Sequence, residues 1–342
     1  MNARMLRLRV ERATSPSRRA TRPVQLLAGH MRNEPFGAAR VRCRESVSGK
    51  LPETTGRLPV PPGFYARVAL TFAAVLCCFH AMAAEPLTLA RDGHWLIVHT
   101  AAGNIRINYL EAYCRAGSTD ADWMKHTVIP HKSETLSADA QTVRIRDVLA
   151  DGVTVEHTIT ARGDEVDFQL TAHNPTDKAS EVHWAQPCVR LSAFTGFDEK
   201  TAGDATDYLP KCFIFVAGKL TRMPFEPWAT QARYTPGQTW CPAHVPRTDV
   251  NPRPLSSVLP SNGLIGCFSA DEKLIFLTAW QPYQELFQGV ARCLHSDFRI
   301  GGLAPGKTRK IRGKVYVVPA DVAALLARYR KDFPEHQLAE RP

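Results

Sequence analysis

Three short stretches carry residues whose types and spacing suit chemistry. In 181–191, counting by two puts Val182, Trp184, Gln186, Cys188 and Arg190 on one face of an extended chain, with His183, Ala185, Pro187, Val189 and Leu191 on the other. An indole, a carboxamide and a guanidinium in a row suit a sugar: the indole covers the apolar face of a pyranose, and the other two bond its hydroxyls. The same row also fits a core tryptophan with Gln186 and Arg190 at the sheet margin. In 289–297, Cys293, His295 and Asp297 share a face. His295 and Asp297 stand ~7 Å apart along the backbone, which allows an acid–base pair or a histidine satisfied by its neighbour. The third stretch, 273–280, runs into Trp280, Gln281, Pro282, Tyr283 and Gln284 with Glu285 next. That is either the rim of a binding cleft or an aromatic plug at the end of a sheet.

Two further spots belong to the same search. Trp240-Cys241-Pro242-Ala243-His244 offers a stacking ring and a hydrogen-bonding imidazole, and Asp207 and Tyr208 precede another strand. Cys241 and His244 supply two donors where zinc takes three or four, so neither a metal nor another cofactor is expected. The sequence holds no nucleophile elbow, zinc-protease helix, phosphate loop or dinucleotide fingerprint. The candidates are therefore His295 and Asp297 for catalysis, and Trp184, Gln186, Arg190, Trp280, Gln281, Trp240 and His244 for binding.

The elements that must position them are strands. VTVEHTITA (153–161) and VDFQLTAH (166–173) alternate apolar and polar residues across a Gly-containing loop, the signature of a hairpin. Further strands are expected near 94–100, 104–110, 142–148, 181–192, 211–216, 263–269, 273–280, 289–297 and 309–318. Pro187 inside one of them predicts an edge or a bulge. One helix is expected, over 320–333, where Val322, Leu325, Leu326 and Tyr329 recur at helical spacing and Asp321 and Arg330 match the dipole. Many strands, one terminal helix and no strand–helix alternation predict an all-β fold: a large antiparallel sandwich, or supersandwich, over 85–342. The proline-rich stretch 223–262 reads as a long excursion or lid.

Charge sets the boundaries. The chain carries +10, but residues 1–60 hold twelve Arg, one Lys and four Glu, and Arg67 follows, so residues 85–342 are neutral. A neutral domain has no footprint for a phosphate backbone, and a nucleic-acid partner is not expected. Residues 64–84 show a basic start, a short apolar run and small residues at Ala81, Ala83 and Ala84, the pattern of a cleaved signal peptide. Residues 1–63 read as a disordered leader upstream of the natural start. The expected mature protein is periplasmic or secreted, with no stable membrane anchor after cleavage. Six of the nine cysteines lie beyond residue 85. Export permits disulfides; buried free thiols are the alternative.

Two passages carry a family resemblance. TAHNPTDKASEVHWAQPCVRLSAFTG (171–196) and CLHSDFRIGGLAPGKTRKIRGKVYVV (293–318) are similar to the Asn-Pro-Thr-Asp turn and closing strands of galactose-mutarotase-like β-supersandwich proteins. In detail the chain resembles uncharacterised secreted bacterial proteins of that superfamily. The resemblance implies a supersandwich fold and a carbohydrate ligand. Aldose epimerases of the superfamily use a histidine as acid and a carboxylate as base on the concave sheet. Two functions are thus in play: a carbohydrate-binding or carbohydrate-active exported protein of epimerase, lyase or hydrolase type, and a non-catalytic structural or protein-interaction module of the cell envelope.

Overall fold

Alternation in the sequence becomes alternation of burial. In the computed structural model, β6 (Thr142–Leu149), β7 (Thr154–Arg162) and β8 (Glu165–His173) bury Val143, Ile145, Val155, Ile159, Phe168 and Leu170 and expose Arg144, Glu156, Thr158 and Gln169. Gly163 takes a φ of 58° in the two-residue turn that closes the β7–β8 hairpin. The structure describes residues 85–117, 122–197, 207–223, 238–250, 255–289 and 291–338. The chain divides into Met1–Ala73 and Ala74–Pro342, and all described residues belong to the second unit. The expected leader (1–63) and signal peptide (64–84) lie outside the described residues.

The described strands form two sheets with antiparallel ladders throughout. The first runs β1 (Thr88–Asp92), β2 (Trp95–His99), β3 (Ile105–Arg115), β9 (Val182–Arg190), β16 (Cys293–Arg299), β15 (Tyr283–Gln288), β12 (Gln238–Trp240), with β4 (Val128–Ile129) also on β3. The second runs β11 (Lys219–Arg222), β10 (Cys212–Val216), β13 (Ile265–Phe268), β14 (Leu274–Gln281), β17 (Thr308–Pro319), β8, β7, β6, β5 (His131–Ala138). The all-β sandwich read from the sequence is the observed architecture.

Between the sheets Leu96, Ile107, Val189 and Phe298 of the first meet Ile159, Phe168, Trp280 and Ile311 of the second. The Trp280 indole lies 5.1 Å from Phe168 and 4.7 Å from Phe298, centroid to centroid. Gly313 stands opposite it on β17, and a Cβ there would come within 2.4 Å of the ring. Only glycine lets the indole lie flat on that strand. A polar network also joins the sheets. Tyr113 and Ser133 each donate to Asp147 at 2.6 Å, His157 Nε2 lies 3.1 Å from the same carboxylate, and Tyr109 bonds His157 Nδ1 at 2.8 Å.

Helices are few. α1 (Trp123–His126) and α2 (Ser192–Thr195) are single turns, and α3 (Val322–Asp332) is the terminal helix expected over 320–333. Asp321 caps α3 by accepting the Ala324 N–H at 3.0 Å. Leu325, Tyr329 and Phe333 cover the outer face of the second sheet at Phe213, Phe215, Leu277 and Tyr316. Pro334 ends α3 and begins a further turn, α4 (Pro334–Leu338). Among the described residues no helix is long and apolar enough to cross a membrane. All six cysteines from Cys114 to Cys293 are buried free thiols.

Candidate functional site

The outer face of the first sheet collects the chain's most concentrated chemistry. β9 and β16 are neighbours at its centre, and Cys293 pairs with Arg190 in their ladder. The same register sets His295 beside Cys188 and Asp297 beside Gln186. On the far side of β16, Phe287 pairs with His295 and Glu285 with Asp297. On the far side of β9, Gln186 pairs with Ala112 and donates to Glu111 at 2.8 Å. A row of polar groups therefore crosses four strands: Glu111, Gln186, Asp297, Glu285. A second row holds Cys188, His295 and Phe287. The β3–β9 register shifts between Asn108 and Ala112, opposite Pro187. Proline is tolerated in this central strand because the ladder is already broken there.

Burial sets the electrostatics. Glu285 and Asp297 are 0 % exposed and His295 is 1 % exposed. Neither oxygen of Asp297 has a hydrogen-bond partner among the described residues, and His295 Nδ1 has none either; they face each other at 3.8 Å. Burial first, then the carboxylates of Glu285 and Glu111, push the Asp297 carboxyl well above the usual range. On the other edge of the ring, Cys293 Sγ lies 3.4 Å from His295 Nε2. Its thiol is pulled well down by the bond from Cys188, against burial, with His295 and Arg190 adding to the effect. Cys188 moves the opposite way, raised by the same bond and by burial. Arg190 reaches the Ala291 carbonyl at 3.1 Å, while its Nε has no partner among the described residues.

The residues singled out in the sequence fall into three places. Trp184, Gln186, Arg190, His295 and Asp297 converge on this face. Trp184 is 0 % exposed and packs on Ala112, Cys114 and Val128, with the Trp123 ring 6.0 Å away, so its indole is part of a small core rather than an open platform. Trp280 and Trp240 stand apart, in the core between the sheets. Gln281 and His244 line a separate cleft of about 920 Å³ with Tyr283, Asn262 and His336. There His244 meets the Tyr283 ring edge-on, and Gln281 accepts from His336 Nε2 at 2.8 Å. Glu111 received no role from the sequence, and Glu285 was noted only as part of a rim. Asp249 and Arg299, which pair at 2.9 Å at the lower end of β16, were not singled out. Neither Glu285 nor Glu111 carries a sequence signal: β15 is buried on both faces without alternation, and Glu111 lies where the β3 register shifts.

No protein-family model matches the chain, and no curated protein sequence does. Among solved structures, it is similar to a proposed aldose 1-epimerase from Escherichia coli K12 at 11 % identity and a TM-score of 0.36, over 68 % of this chain and 98 % of that one. A galactose mutarotase-like protein from Lactobacillus casei matches at 8 % identity and 0.35, over 68 % and 99 %. A proposed mutarotase from Salmonella typhimurium matches at 7 % and 0.32, over 72 % and 99 %. At such values these likenesses bear on no residue of the site.

Proposed function

We propose that residues 85–342 form an exported carbohydrate-directed protein, and that Asp297, His295 and Glu285 transfer protons to and from a sugar at the outer face of the first sheet. One observation carries this reading: the Asp297 carboxyl is fully buried with both oxygens unbonded among the described residues, directly across the ladder from Glu285 and 3.8 Å from His295 Nδ1. A buried polar group left without partners is costly. Here two such groups, the Asp297 carboxyl and His295 Nδ1, face each other, as groups do that exchange protons with a ligand. Interconversion of sugar anomers needs no more. A base takes the proton of the anomeric hydroxyl, an acid protonates the ring oxygen, the bond from the anomeric carbon to that oxygen breaks, and reclosure reverses the transfers. Arg190, at the half-buried margin of the face, is the clamp for a sugar hydroxyl. Export rests on the pattern in 64–84, and the carbohydrate class on the sequence resemblance.

The test is a screen of the purified protein against monosaccharides and glycans, followed by anomer interconversion by NMR. Asp297→Asn should lower the interconversion rate by roughly 10²–10⁴-fold, the usual contribution of a positioned acid or base, while leaving the fold intact. Arg190→Ala should weaken binding. The closed burial of Trp184, His295 and Asp297 favours the second reading, a non-catalytic envelope module. A protein that binds no saccharide in the screen would belong to that reading instead.

A further inference from the structure

The other edge of the His295 ring faces a different set of groups. Cys188 Sγ, Cys293 Sγ and His295 Nε2 lie within 4.8 Å of one another, from three buried side chains. We propose that these three form a binding site for one thiophilic d¹⁰ cation, Zn(II) or Cu(I). The inference stands apart from the sugar reading, which uses the Nδ1 edge of the ring and Asp297.

Four observations carry it. The donor set is two sulfurs and an imidazole, the set that selects zinc and cuprous ions over hard cations. The spacing fits: an ion ~2.3 Å from each sulfur and ~2.1 Å from nitrogen sets the donors roughly 4 Å apart, and the structure places them 3.4 Å apart at Cys293 and His295 and within 4.8 Å overall. The wall beside the donors is a glycine. A Cβ on Gly289 would sit 2.3 Å from Cys293 Sγ and 3.4 Å from His295 Nε2, so any larger residue would fill the space an ion needs. Finally, a metal-bound histidine characteristically turns its other ring N–H to a carboxylate. His295 Nδ1 faces the Asp297 carboxyl, whose oxygens have no other partner among the described residues. Binding replaces two S–H protons, released to solvent, with two metal–sulfur bonds and needs no change of oxidation state. Two thiolates around Cu(I) leave one negative charge, which Arg190, paired with Cys293 in the ladder, opposes.

The experiment uses the full chain, reduced, freed of metal and held without oxygen. Cd²⁺ serves as the spectroscopic probe, and Zn²⁺ and Cu⁺ then compete for the site against a chelator. The expected result is one equivalent bound per chain, with a thiolate-to-cadmium charge-transfer band that Cys188→Ala or Cys293→Ala abolishes and Cys241→Ala keeps. Asp297→Asn should keep the band while weakening affinity about ten- to a hundredfold, as loss of a partner behind the histidine does, whether or not the protein binds any sugar. X-ray absorption on the unaltered protein guards against variants that do not fold: two sulfurs and one nitrogen around the ion support the site. An ion surrounded by oxygen and nitrogen alone, a band that survives loss of both cysteines, or no stoichiometric binding overturns it. So does a Cys188–Cys293 disulfide in the native protein.

Discussion

At the scale of residues, Trp280 decides how far alternation can be trusted. The aromatic run after β14 reads as a cleft rim, but the indole is 2 % exposed and wedged between Phe168 and Phe298 over Gly313. Trp280→Ala should therefore destabilise the protein by about 3–5 kcal/mol, as loss of a large core aromatic does. Urea unfolding would show this as a lower midpoint at an unchanged slope. Weaker saccharide binding at full stability would restore the rim. The same reasoning explains what was legible. Counting by two put Trp184, Gln186, Cys188 and Arg190 on one face, and Cys293, His295 and Asp297 on another, and the structure joins those faces. The period cannot say which face meets the second sheet, nor which strands are neighbours. The thiols of Cys188 and Cys293 are 105 positions apart in the chain, and only the sheet register brings them together, whereas Cys241 and His244, close in sequence, lie in different surroundings.

At the scale of elements, strands with one apolar face and several buried on both faces, such as β9, β14 and β16, coincide with expected strands, whereas β5 and β15 do not. β5 (HKSETLSA) is exposed almost throughout, an edge strand without an apolar stripe, and β15 (YQELFQ) is buried on both faces. Neither shows a period of two; the expected strand 289–297 matches β16, while β15 falls in the stretch read as a cleft rim or aromatic plug. α3 was legible because its stripe and caps agree, but what locks it lies beyond its end. His336 accepts from the Tyr329 hydroxyl through Nδ1 and donates to Gln281 through Nε2, and the Gly263 N–H bonds the same hydroxyl at 3.1 Å. A protonated ring would have two donors and leave the Tyr329 hydrogen without an acceptor. Burial, with Arg312 and His244 helping and Glu335 opposing, holds the imidazole down at about 4. The unfolded chain takes up this proton first, near 6.5. The stability it contributes is therefore full above 6.5 and is lost as pH falls through about 4, on the order of 3 kcal/mol. Hydrogen exchange should show α3 amides opening faster at pH 5 than at pH 7. His336→Gln, which keeps one donor and one acceptor, should flatten that difference; an unchanged slope would separate the lock from His336.

At the scale of the whole molecule, the question is what fixes one sheet on the other. Apolar contact between sheets is nearly indifferent to small slides, whereas a buried polar network has one satisfied arrangement. Tyr109 and Tyr113 come from β3 in the first sheet, and Ser133, Asp147 and His157 from β5, β6 and β7 in the second, so the network pins the two in register. Burial raises the Asp147 carboxyl, but donation from His157, Ser133 and Tyr113 outweighs it and holds the group at about 2. Its ordinary value is 3.8, so the folded value is lowered and the sign is the same as for His336: stability is lost as pH falls. The contribution is complete above 3.8, declines as pH falls through about 2, and amounts to roughly 2 kcal/mol. This window lies below that of His336, which predicts acid unfolding in two stages. The terminal helices loosen first, between 6.5 and 4, and the sheets part only nearer pH 2. Near-ultraviolet circular dichroism, which follows the packed tryptophans between the sheets, should stay native through the first stage and fall in the second. Asp147→Ala leaves Tyr113 and His157 facing a gap and should cost about 3–5 kcal/mol, the usual result of removing one partner from a buried pair. It should also merge the two stages by moving the second to higher pH. If the tryptophan signal falls before the helices loosen, or if Asp147→Ala leaves the acid midpoint where it was, the sheets are held by apolar contact alone.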